Sequence, residues 1–145
     1  MTHLVLSAPL SVSSSCNGTY DKINKVLKYP STSGISSRTG ECLWNITISE
    51  ESIINLHFIG LNIKDSLHCV HSYLLIYDET TLSSNILGTK LCGNSRPDNI
   101  QSSGSSMQVK FVWSMSNAIE HEFHIKLDVI GTFSSLLLYI LLFCY

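Results

Sequence analysis

Apolar and polar residues alternate at every second position through much of the middle of this chain. Cys42, Trp44, Ile46 and Ile48 fall on one side of such a run, with Leu43, Asn45 and Thr47 on the other. Side chains of an extended strand point alternately to opposite faces, so this period predicts a strand with one face buried. Ile54, Leu56 and Phe58 repeat it, with Asn55 and His57 facing out. Met107, Val109, Phe111 and Trp113 form a third stripe. Phe123, Ile125, Leu127 and Val129 form a fourth, opposed by His124, Lys126 and Asp128. Tyr73 to Tyr77 is apolar throughout, which predicts a strand central in a sheet and covered on both faces.

Serine-rich stretches separate these runs: Ser11 to Ser15, Ser31 to Ser37, and Ser102 to Ser106 around Gly104. Before the carboxyl tail only Lys22 to Leu27 offers a helical period, and it is too short to stand alone. Short alternating strands between Gly, Ser, Asn and Pro turns predict an all-β sandwich.

Composition narrows the class. The 145 residues are one domain's worth, with 44% apolar and 14% charged residues and a formal net charge of -2. The nine lysines and arginines are scattered, so nothing offers a nucleic-acid backbone a basic surface. Four cysteines, Cys16, Cys42, Cys69 and Cys92, sit at the edges of the predicted strands. An even set so placed is the framework of a small extracellular domain, although four cysteines allow three pairings. A fifth, Cys144, lies apart in the tail. Two sequons, Asn17-Gly18-Thr19 and Asn45-Ile46-Thr47, meet the N-glycosylation pattern. Asn45 falls on the polar face of its strand, whereas Asn17 adjoins Cys16.

The ends divide from the middle, giving residues 1–15, a domain over 16–130, and a tail over 131–145. Leu4 to Val12 is apolar but lacks a basic start and contains Ser7 and Pro9, so it matches a secretion signal poorly and reads equally as a linker. Phe133 to Tyr145 is nearly all apolar yet shorter than the roughly 20 residues that a spanning helix needs. It reads as a partial membrane segment, a removable anchor signal or a plain terminus.

Four groups of residues together resemble the CUB domain family, found in complement proteases, tolloid-type metalloproteases, spermadhesins and cubilin. They are Tyr29-Pro30 before Cys42-Leu43-Trp44-Asn45-Ile46; Ile53-Ile54-Asn55-Leu56-His57-Phe58 leading to Cys69; Tyr73-Leu74-Leu75-Ile76-Tyr77-Asp78 before Cys92-Gly93; and Pro97-Asp98-Asn99-Ile100-Gln101 before Met107-Gln108-Val109-Lys110-Phe111. The resemblance runs from about Cys16 to Val129. It implies a jelly-roll-like sandwich of two antiparallel sheets, with bridges Cys16–Cys42 and Cys69–Cys92. It also implies a non-catalytic extracellular module that recognises a protein or glycan through its loops. Two alternatives are an accessory segment of a larger extracellular protease or receptor, and a free-standing spermadhesin-like carbohydrate binder.

Many members of that family hold calcium at one end through acidic residues in three places. Here the first two positions carry Lys64 and Ser72, and Trp113-Ser114-Met115-Ser116 occupies the third. Calcium draws its affinity largely from carboxylates, so the expectation is a lost site, with Asp65 the residue that could support a shifted one. No metal or cofactor is expected. Trp113 stands where the resemblance implies a smaller polar residue, which makes it the candidate partner-binding side chain. His68 with His71 and His121 with His124 suggest a metal cluster only weakly, because residues three apart on a strand face opposite ways. Gly104-Ser105-Ser106 lacks the surroundings of a catalytic serine. The chain is therefore read as non-enzymatic.

Overall fold

A computed structural model describes residues 16–21, 25–29, 38–49, 51–79, 85–116, 120–130 and 141–143. Two four-stranded sheets face each other. One has the order β1-β3-β7-β5, from Gly18–Tyr20, Gly40–Thr47, Ser106–Trp113 and Tyr73–Tyr77. The other has the order β2-β8-β4-β6, from Lys25–Tyr29, Glu122–Ile130, Ile53–Asn62 and Ile100–Gln101. All pairings are antiparallel except the parallel β1–β3 contact.

The alternation read from sequence becomes the core. Trp44 and Ile46 of β3, Met107, Val109, Phe111 and Trp113 of β7, and Leu74 and Ile76 of β5 point inward from the first sheet. Leu27 and Tyr29 of β2, Ile54, Leu56 and Phe58 of β4, and Phe123, Ile125 and Leu127 of β8 meet them from the second. Aromatic rings fill one end. Tyr29 stacks on Phe123 at 5.4 Å and tilts against Phe111 at 4.8 Å, while Trp44 meets Phe123 edge-on at 5.7 Å. Such pairs contribute about 0.5–1.5 kcal/mol each beyond their buried area. Burial pushes the Tyr29 hydroxyl up to about 12.

Two expectations change, and a bulge adds to the picture. Lys25 to Leu27 lies in strand β2, because Leu27 and Tyr29 alternate inward against β8 and sheet pairing outweighs a weak helical period. β5 ends its sheet instead of lying centrally, yet Leu75 is only 8% exposed. The segment beyond it takes the place of a further strand: Leu74 N–H donates to the Leu91 carbonyl at 2.9 Å and Leu87 N–H to the Ile76 carbonyl at 2.8 Å. A bulge between Phe58 and Gly60 shifts the β4 register, so Phe58 and Leu61 both face the core and Ile59 is pushed outward. The Ser31–Ser37 run, residues 1–15, Cys144 and most of the apolar tail lie outside the described residues. No described helix is long and apolar enough to cross a membrane.

Candidate functional site

The bridges form between Cys16 and Cys42 and between Cys69 and Cys92. The first is buried, with Cys16 and Cys42 only 4% and 0% exposed. Asn17 continues the contact, its Oδ1 accepting the Leu43 N–H at 2.7 Å. The second bridge lies beyond the strands, where a single 3₁₀ turn at Leu67–Cys69 bends sharply, with His68 and Cys69 in the left-handed region.

That turn belongs to the loop between β4 and β5, which is bonded to the loop between β7 and β8. The Lys64 N–H donates to His121 Nδ1 at 3.1 Å. A backbone N–H can only donate, so Nδ1 is the acceptor and the ring proton sits on Nε2. Nε2–H then donates to Ser116 Oγ at 2.8 Å, and the Ser116 hydroxyl reaches the Ser114 carbonyl at 3.4 Å. The Ser114 N–H donates to Ser72 Oγ at 3.3 Å, and the Ser114 hydroxyl to the His71 carbonyl at 2.8 Å. Ser72, Ser116 and His121 are all buried. Above them Lys64 Nζ pairs with Glu120 at 3.4 Å. Desolvation lowers the His121 pKa below its ordinary value, reinforced by Lys64 and opposed by Glu120. Leu67, Val70 and Met115 project from these tied loops, 78%, 55% and 67% exposed.

Trp113 does not join that surface. It is 2% exposed, stacks on Phe111 at 5.3 Å and tilts toward Tyr29 at 6.2 Å. Its partner in register is Gly40, where an added Cβ would lie 2.2 Å from the indole ring. A glycine opposite the indole makes room for it inside, and the expectation of an exposed binding tryptophan is corrected. Among the described residues of this loop, the displayed large apolar side chain is Met115, two positions on and set in the left-handed region at φ 60°.

The histidine pairs separate. His121 faces inward, whereas His124 faces away from the core beside Glu122, 3.4 Å from its carboxylate. Among the described residues no three metal-ligating side chains converge. Asp65 turns to the second bridge, its Oδ1 3.3 Å from Cys92 Sγ. The sequons meet on one sheet face: parallel pairing sets Thr19 opposite Asn45, whose Oδ1 accepts from Gln108 Nε2 at 2.7 Å. His121, named from sequence only as half of a weak metal pair, is instead a buried tie between the two loops, and that role was missed. The inward stripe Phe123, Ile125, Leu127, extended back by two positions, places it inside.

Fold, bridges and loop display define a disulfide-stapled β-sandwich module. A model of the CUB domain matches residues 16–127, and the chain belongs to that family. Human cubilin is 36% identical over 98 residues, covering 67% of this chain and 3% of cubilin. The chain therefore spans a small fraction of that relative. Among solved structures, the CUB1-EGF-CUB2 domain of human MASP-1/3 superposes with a TM-score of 0.66 at 21% identity, over 80% of this chain and 43% of that one. The MASP-1 CUB2 domain bound to Ca2+ gives 0.58 at 19% identity, over 75% of this chain and 96% of that one. CUB domains are generally non-catalytic modules of extracellular proteins, consistent with protein interaction.

Proposed function

We propose that this chain is a non-catalytic recognition module, secreted or displayed on the outer face of the plasma membrane, that binds an extracellular protein through its loop end. The observation that carries the reading is the display of Leu67, Val70 and Met115 on two loops tied to each other and to the second bridge. Large apolar side chains on braced loops lose little freedom on binding and bury well against a partner. The proposed glycan carriers, Asn45 and Asn17, lie elsewhere. Asn45 stands opposite Gln108, in the half of β7 remote from Ser114, so a glycan there leaves the loop end open.

The test immobilises the secreted module and recovers bound protein from conditioned medium, alongside a Leu67→Ser, Met115→Ser variant and a Lys126→Ser variant on the outer face of the second sheet. Loss with the first variant alone, at unchanged melting temperature, supports the reading. Equal capture by all three overturns it. Binding to a glycan array that survives both substitutions would move the function to sugar recognition elsewhere on the module.

A further inference from the structure

We propose that the loop end is a proton-responsive latch, closed by neutral His121 among the positions for which the family resemblance implies calcium ligands. The donor chemistry there does not fit that cation. Calcium takes six to eight oxygen ligands and relies on carboxylates. Here Lys64 brings an ammonium ion, already paired with Glu120. Ser72 and Ser116 bring neutral hydroxyls, both buried and both bonded within the protein.

What a cation would do for two loops, the imidazole does by hydrogen bonding. One ring nitrogen receives the Lys64 N–H at the start of the β4–β5 loop, and the other holds Ser116 of the β7–β8 loop. Ser116, Ser114 and Ser72 then carry the connection back to the entry of β5. The ring is 1% exposed and lies edge-on to Phe111 of β7 at 5.4 Å. The groups facing it are Lys64 from the first loop, Ser72 from the β5 entry, Phe111 from β7, and Glu120 and Ser116 from its own segment. Neither ring nitrogen has a carboxylate partner, since each is already engaged by Lys64 N–H or Ser116 Oγ.

A proton on Nδ1 would therefore confront a donor with a donor and set a charge against Phe111. The Lys64 bond must break, and the loops that carry Val70 and Met115 keep only the Ser114 bonds to Ser72 and the His71 carbonyl, so they are held less firmly. The sign follows from burial, which lowers the folded-state pKa. The unfolded chain binds the proton more readily, so the latch is fully effective above the ordinary histidine value of about 6.5 and weakens as pH falls below it. Its response belongs to the free chain and needs no partner, so it stands or falls separately from the recognition reading.

Thermal melts of the whole chain from about pH 7.5 to about pH 5, with calcium or with chelator, test both halves. The expected result is a melting temperature that falls with acid and is indifferent to calcium. His121→Asn keeps an acceptor for the Lys64 N–H but cannot titrate, and should reduce the acid slope roughly twofold or more. A stabilising response to calcium, or an equal slope in His121→Asn, overturns the proposal. Should that variant fail to fold, NMR of the wild-type chain decides. The latch requires an Nε2–H tautomer at neutral pH and Val70 and Met115 methyl shifts that follow His121 protonation. An ordinary His121 titration with those methyls unmoved overturns it.

Discussion

The two disulfides close chain segments of almost the same length, with sequence separations of 26 and 23, yet stand in opposite surroundings. Cys16–Cys42 lies in the core and fastens short β1 beside β3. Cys69–Cys92 lies among loops, in a turn with left-handed residues and exposed Leu67 and Val70. Chain entropy alone gives the two nearly equal weight, because it depends only logarithmically on loop length. What separates them is the native side: one bridge is packed like a core side chain, the other braces a display. The same covalent device serves solidity in one region and presentation in the other.

The sharpest attempt to break that division is Trp113→Ser, which strikes where the core approaches the display. Emptying a buried indole site should cost about 3–5 kcal/mol, measured by denaturant unfolding, with folding and any loop-end binding lost together. Folding retained with binding lost would return Trp113 to the recognition surface. Next come the paired replacements. Cys16→Ala with Cys42→Ala should cost about 4 kcal/mol and Cys69→Ala with Cys92→Ala about 2, within the range for native bridges of small extracellular domains. Equal losses would mean that entropy outweighs surroundings. Gly40→Ala, which drives a methyl group toward the indole, should cost about 1–3 kcal/mol. Leu67→Ser should shift stability by no more than about 0.5 kcal/mol while removing partner capture.

What was legible in sequence follows from how each element is specified. β3, β4, β7 and β8 run for 8 to 10 residues and each buries one face, so alternation marks them plainly. β1 and β6, of 3 and 2 residues, are too short to carry a period and owe their extended form to neighbours. β5 is buried on both faces, but composition cannot tell whether a full strand or the Ile86–Leu91 segment covers its outer edge. At the loop end the departures at Lys64 and Ser72 were visible, while the polar network across His121 depends on two loops distant in sequence. Trp113 was misread because its space comes from Gly40, a residue from another strand.

The strand edges carry a consequence for crowding. An open sheet edge offers unpaired backbone groups to any similar chain nearby, and modules strung in series meet one another at high local concentration. Here β1 and β6 are too short to template a neighbour, β5 is already bridged along its outer side, and β2 bears exposed Lys25 and Lys28. Three means blunt the four edges: shortness, a bridging segment and charge. Wherever modules with edges of this kind stand side by side, they would resist strand exchange and stay individually folded.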